Sequence, residues 1–291
     1  MRTWLLLFAL LGCDTPDFAQ EWELDRLRLL AVRADPAEPR PGEHVRFTSL
    51  VHAPEAADWS AVWIACVEGD AEGCTLDPDL LARLEHADTL SQAELLALYA
   101  ELQAAGFVGV EPGMTLGWTV PEDALDGLDD AALAEGRTAT VTVTLATADE
   151  QELTLKSIPV SLAATPNHNP DLGALTIDGN AVAVGAIVVV DPSSEYSVEV
   201  ELAEAPEAYQ YVTSEGVTEE RTESPSYRWY TSGGTLAESD TGLGGFGEGE
   251  PETSSARTWV SPAEAGTYLL HAVVLDGRGG MGWQSATLSV R

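Results

Sequence analysis

Apolar and polar residues alternate with a period of two through much of this chain, the pattern of strands with one buried face. In HVRFTSLVH, Val45, Phe47 and Val51 fall on one side and Arg46 and Thr48 on the other. SAVWIACV predicts a second strand. TATVTVTLAT predicts a third, in which Val141, Val143 and Leu145 alternate with threonines, and β-branched residues on both faces suit a pleated surface. After residue 173 the pattern resumes. YSVEVEL sets Tyr196, Val198, Val200 and Leu202 against Ser197, Glu199 and Glu201, and SYRWYTS, RTWVS, TYLLHAVVL and WQSATLSV follow as further strands. LTIDGNAVAVG predicts a hairpin about Asp178-Gly179. Many short strands punctuated by Gly and Pro, without crossover helices, point to a sandwich rather than a parallel sheet.

One stretch has a different period. Asp77 can cap a helix that has Pro78 at its first position, and Ser91 with Glu94 forms a capping box ahead of Leu95, Leu98, Tyr99 and Leu102, with Gly106 as a stop. Residues 77–105 therefore predict two short helices inserted into a β-domain, either a cover for an open sandwich edge or a carrier of function. TPNHNPDLG, at 165–173, has the composition of a linker. The expected organisation is mainly β, with two immunoglobulin-like β-sandwich domains: residues 25–164 with the helical insertion, and residues 174–291. A chain of 291 residues is long enough for two cores.

The N-terminus, MRTWLLLFALLGCDTPDF, carries Arg2 and then an apolar run over Trp4–Leu11, too short for a hydrocarbon core that needs about 20 residues. Leu10-Leu11-Gly12-Cys13 at its end resembles the lipobox of bacterial lipoproteins. The resemblance implies a signal peptide over residues 1–12, cleavage before Cys13, acylation of that cysteine, and a tether over residues 13–24. Each buried acyl methylene adds about 0.8 kcal/mol, so two or three chains would hold the protein on a membrane. The implied location is the cell envelope, on the inner or outer membrane, facing the periplasm or the cell surface. Asp14 resembles the inner-membrane retention signal of enteric bacteria. Residues 227–291 resemble bacterial immunoglobulin-like and PKD-type sandwich domains, through Trp229, Trp259, Pro262, Gly266-Thr267-Tyr268 and Asp276-Gly277. Such domains serve as spacers or adhesive modules on exported proteins. Trp118-Thr-Val-Pro121 before TATVTVTL parallels Trp259-Val-Ser-Pro262 before TYLLHAVV, as expected of a diverged copy, although the acidic stretch at 122–135 has no counterpart. The layout of tether and sandwiches resembles lipoproteins of myxobacterial type.

Charge narrows the partners. Acidic residues number 48 against 14 basic ones, and Lys156 is the only lysine. Nucleic acid is excluded as a partner, because phosphate binding needs clustered Lys and Arg. Cys66 and Cys74 remain after acylation of Cys13, and an even pair in an exported chain predicts a disulfide. Its nine-residue loop would contribute about 2.5 kcal/mol. Two cysteines without a histidine pair are too few for structural zinc.

Histidines stand at 44, 52, 86, 168 and 271, none at the i,i+4 spacing of a zinc hydrolase, and His44 and His52 lie about 27 Å apart on a straight strand. No nucleophile elbow, phosphate loop or dinucleotide fingerprint is present in strand-turn-helix context. GLGGFGEGEPE, at 242–252, reads as a loop. Asp240, Asp276, Glu248 and Glu250 are candidate hard-oxygen ligands for calcium, without an EF-hand signature, and no catalytic residue or other cofactor is expected. The expected function is that of a membrane-anchored, non-enzymatic binding, adhesive or spacer module whose partner is an envelope protein or glycan. The alternative is an envelope hydrolase or carbohydrate-active accessory protein working from an acidic loop or the helical insertion.

Overall fold

The structure is a computed structural model that describes residues 21–54, 58–67, 77–213, 217–237, 240–241 and 251–291. The N-terminal half contains strands β1 (Arg28–Asp35), β2 (His44–His52), β3 (Ser60–Val67), β4 (Phe107–Glu111), β5 (Gly117–Thr119), β6 (Arg137–Ala146) and β7 (Gln151–Val160). They form two sheets of order β1-β2-β5 and β4-β3-β6-β7, every pairing antiparallel. The alternating positions read from the sequence fill the space between them: Val45 and Phe47 from one sheet meet Trp63, Val141, Val143 and Leu145 from the other. The Trp63 ring lies 6.2 Å from that of Phe47, centroid to centroid. Its indole N–H donates to Glu111 Oε2 at 3.1 Å, so the largest core side chain carries no orphan donor.

The C-terminal half contains β8 (Thr176–Ile177), β9 (Asn180–Ala181), β10 (Ile187–Val190), β11 (Glu195–Glu201), β12 (Ala208–Val212), β13 (Thr218–Thr222), β14 (Ser226–Thr231), β15 (Thr235–Leu236), β16 (Asp240–Thr241), β17 (Ser254–Val260), β18 (Gly266–Leu275) and β19 (Met281–Val290). Its sheets run β9-β8-β11-β17-β15 and β10-β19-β18-β14-β16, with β12 and β13 as a separate hairpin. Assigned in chain order, β8-β11-β17-β15 is the A-B-E-D sheet of an immunoglobulin sandwich, and β14-β18-β19 is its C-F-G sheet. The hallmarks agree. Trp229 on the C strand is fully buried, and Tyr268 near the start of the F strand donates its hydroxyl to the Glu264 carbonyl at 3.1 Å, a tyrosine corner.

The same lettering fits the N-terminal sandwich: β1-β2-β5 is A-B-E, and β4-β3-β6-β7 is C′-C-F-G. Trp118 on β5 and Trp259 on β17 are then equivalent E-strand residues, both buried, and Trp63 matches Trp229 on the C strand. The acidic stretch at 122–135 carries a short helix, α3 (Asp130–Glu135), in the E–F connection, and Ala124 and Leu125 close one end of the core.

The insertion contains α1 (Pro78–Glu85) and α2 (Gln92–Ala104), capped by Asp77 and by the Ser91–Glu94 box. Leu98 and Leu102 of α2 pack on Ile64 and Phe107, so the helices cover the outer face of the β3-β4 ribbon rather than an open edge. Leu95 and Tyr99, which the sequence places on the same apolar stripe, are only partly covered, at 38% and 41% exposed, with the Tyr99 ring edge-on to that of Phe107.

Two boundaries differ from expectation. The tether expected over residues 13–24 ends in residues that are held: Leu24 is buried and its N–H donates to the Thr231 carbonyl, while Thr231 N–H donates back to the Trp22 carbonyl. The chain therefore clasps β14 of the C-terminal sandwich before it enters the N-terminal one. Residues 165–173 connect the sandwiches, but Asn167 within them is 1% exposed and bonds Glu38 through its N–H and Asp276 through its side chain. Asparagine side chains that bridge two bodies have the same composition as a solvated linker, which is why the pattern could not separate the two.

Candidate functional site at the junction of the two sandwiches

The F–G turn of the C-terminal sandwich, Asp276-Gly277-Arg278-Gly279-Gly280, reaches into the junction. Gly277 and Gly279 adopt φ of +86° and +113°, and a Cβ on Gly280 would stand 2.1 Å from Asp276 Oδ2. Only this glycine content lets the turn fold tightly enough to accept hydrogen bonds from its own backbone: Asp276 Oδ1 receives the N–H groups of Arg278 (2.7 Å) and Gly280 (3.0 Å). Asp276 Oδ2 receives Asn167 Nδ2 at 2.8 Å.

Arg278 then stands among carboxylates from several elements. Its Nη2 is 3.2 Å from Glu38 Oε2, and its Nη1 is 3.3 Å from Glu223 Oε1 and 3.6 Å from Glu207 Oε2. The guanidinium lies 4.4 Å from the centroid of the Tyr209 ring, on the β12-β13 hairpin. Glu38 also accepts from Ser161 Oγ and from Asn167 N–H. Lys156 is buried and donates to the Gly279 carbonyl at 2.5 Å; burial pushes its ammonium down to about 8, opposed by the Asp276 charge. Burial pushes Glu223 up to about 7 and raises Asp276 as well.

Beside this network, an open cavity of about 400 Å³ is lined by His168, Glu207, Glu223 and Asp276, with Pro206 and Pro225. His168 Nδ1 is 2.8 Å from Glu207 Oε1 on the exposed side. An apolar layer completes the junction. Leu24, Leu30, Ala31 and Leu50 pack on Tyr230, Val273, Leu275, Met281 and Trp283.

Of the residues singled out by sequence, Asp276 is in this junction, with its oxygens taken by Asn167 and the turn backbone rather than presented as a loop ligand. Asp240 pairs with Arg228 through the backbone on β16, away from it along the sheet. Glu248, Glu250, Cys13 and Cys74 lie outside the described residues. Cys66 is the next-to-last residue of β3 and is disulfide-bonded. Among the described residues no three His, Cys, Asp or Glu side chains cluster as a metal site, and no helix is long and apolar enough to cross a membrane. Sequence reasoning passed over Glu38, Asn167, Glu223 and Arg278. The available signal was a lone lysine in a strongly acidic chain and a DGRGG turn richer in glycine than a hairpin requires.

Protein-family models and curated proteins give no match to the chain. Similar solved structures include a nucleoside hydrolase-related hypothetical protein from Saccharophagus degradans (14% identity over 43% of this chain and 26% of that one, TM-score 0.24). Others are the Yersinia pseudotuberculosis adhesin InvE (12%, 90% and 58%, TM-score 0.21) and a three-immunoglobulin segment of titin (10%, 91% and 65%, TM-score 0.19). The chain spans less than two thirds of the length of each. Likenesses at this level carry no argument about what the chain binds or does.

Proposed function

We propose that this chain is a lipid-anchored cell-envelope protein whose two immunoglobulin-like sandwiches form one rigid, non-enzymatic binding module. The observation that carries the reading is the junction. Free spacers string sandwiches on solvated linkers, whereas here Glu38, Asn167, Asp276, Arg278 and Lys156 tie the two bodies together through buried polar contacts. Such a tie costs desolvation and repays it by fixing one geometry, which serves a surface composed from both sandwiches. Acylation of Cys13 supplies the anchor, and Cys66 pairs with Cys74 in the oxidising compartment that this location implies.

Cys13→Ser compared with wild type by detergent partitioning tests the anchor, and pull-down from intact envelopes tests the binding role. Loss of partitioning in the variant and recovery of a specific envelope protein or glycan are the expected results. A wild-type chain that stays in the aqueous phase and captures nothing overturns the proposal.

A second reading, an envelope hydrolase, draws on the cavity, where Glu207 and Glu223 stand close enough to share Arg278 Nη1 and Glu223 titrates near 7. The shared guanidinium counts against it. It occupies the gap that a water or scissile oxygen would need between an acid and a base.

A further inference from the structure

We infer that the seam between the two sandwiches holds a binding pocket for a carboxylate-bearing sugar, built from Arg33, Arg46 and Trp283; the inference rests on the binding-module reading and names its ligand class. Arg33 and Asp35 of β1 stand opposite Thr48 and Arg46 of β2. Directly opposed residues share a face, so all four project from the outer side of this sheet, while Val32, Ala34, Val45 and Phe47 project into the core. Farther along the same outer face, Leu50 and Ala31 disappear under the C-terminal sandwich. Where that cover stops, Trp283 of β19 joins Arg33, Asp35, Arg46 and Thr48 around an open cavity of about 350 Å³.

Two features point to an anion. Among the described residues neither guanidinium makes a hydrogen bond or an ion pair, in a chain with more than three carboxylates for each cation. Arg28, Arg40, Arg83, Arg221 and Arg278 all have partners; among the described residues Arg26 and Arg228 lack them too, but of these four unpartnered arginines only Arg33 and Arg46 line this cavity. Two diagonal arginines repel each other, and a carboxylate held by both forks would relieve the repulsion. Asp35 offsets one of the two charges, which leaves one net positive charge and favours a monoanion over a doubly charged phosphate. The remaining surfaces suit a sugar ring: the Trp283 face for C–H groups, and the Thr48 hydroxyl and Asp35 carboxylate for ring hydroxyls. The volume lies at the lower end of ligand sites and admits one or two rings.

Calorimetric titration of the full-length chain tests the site. The probes are trigalacturonate, its neutral counterpart trigalactose, N-acetylmuramic acid, a short peptide with a free C-terminal carboxylate, and inorganic phosphate. Trigalacturonate or N-acetylmuramic acid is expected to bind at least about tenfold more tightly than the other three, and the preferred one identifies a uronic polymer or the cell wall as the source. Arg33→Ala and Arg46→Ala are each expected to weaken that binding about tenfold or more, with melting temperature unchanged because both side chains lack partners. Equal binding of trigalactose, the peptide or phosphate, or wild-type affinity in both variants, overturns the site. Specific envelope capture with no binding of either acidic sugar sinks the pocket and leaves the binding module standing, whereas failure of capture as well removes both.

Discussion

His52 at the end of β2 and His271 on β18 are buried at the seam, from opposite sandwiches, and within electrostatic reach of each other. His271 Nδ1 is bonded to Ser285 Oγ at 2.8 Å, while His271 Nε2 and His52 Nδ1 have no partner among the described residues. Burial, reinforced by His52, pushes His271 down to about 4, and burial lowers His52. Between pH 6.5 and about 4 the unfolded chain therefore binds a proton at His271 that the folded chain refuses, so stability falls as pH falls through that window. The size is on the order of 3 kcal/mol. Glu223, pushed up to about 7, acts with the opposite sign: the folded state holds the extra proton between about 4.5 and 7, so this group adds stability as pH falls through that range. His271→Gln is expected to flatten the acid-side loss, read as urea-unfolding free energy at a series of pH values. An unchanged slope below pH 6.5 would remove His271 from the acid response.

Among elements, the turn between β18 and β19 depends most on one residue type. A Cβ at position 280 would meet Asp276 Oδ2 at 2.1 Å and the His168 carbonyl oxygen at 2.9 Å, whereas at position 277 the nearest atom is the Ser224 carbonyl oxygen at 3.6 Å. Gly277→Ala suffers chiefly the strain of a positive φ, about 1 to 2 kcal/mol. Gly280 has no positive φ, so the cost of Gly280→Ala is steric: it must displace the Asp276 carboxylate that binds Asn167, and it is expected to lower thermal stability further than Gly277→Ala does. Equal melting temperatures for the two variants would show that the turn is not a fixed pin. Strands such as β2, β6, β11 and β18 were legible because one face is buried and the period of two is written into them. The capping residues of α1 and α2 were legible for the same local reason. The outer faces of β1 and β19 were not, because their neighbours come from the other sandwich, and Arg33 beside Trp283 is a fact of tertiary assembly. The hairpin β12-β13 was missed because its exposed TEERT strand lacks a buried face to create alternation.

For the molecule as a whole, the junction changes what a core mutation should do. Composition of residues 165–173 leads to the expectation that unfolding the C-terminal sandwich spares the N-terminal one. The structure argues otherwise. Loss of the C-terminal sandwich would strip the cover from Leu30, Ala31 and Leu50, leave Lys156 without the Gly279 carbonyl, and remove from Glu38 its Arg278 partner. It would also free Trp22 and Leu24 from β14. A charge or polar group left buried without its partner costs several kcal/mol, an appreciable part of the 5 to 15 kcal/mol that holds a typical protein folded. Trp229 is fully buried, with its indole N–H on Ser255 Oγ at 3.0 Å, and its truncation costs about 3 to 5 kcal/mol in the C-terminal core. Trp229→Ala is therefore expected to lower the melting of both sandwiches together, followed by calorimetry and by hydrogen exchange at β6, the central F strand of the N-terminal sandwich. Trp63→Ala should show the reciprocal effect at β18. If amides of β6 keep wild-type protection at temperatures where β18 of Trp229→Ala has already exchanged, the junction transmits no stability and the two bodies fold independently.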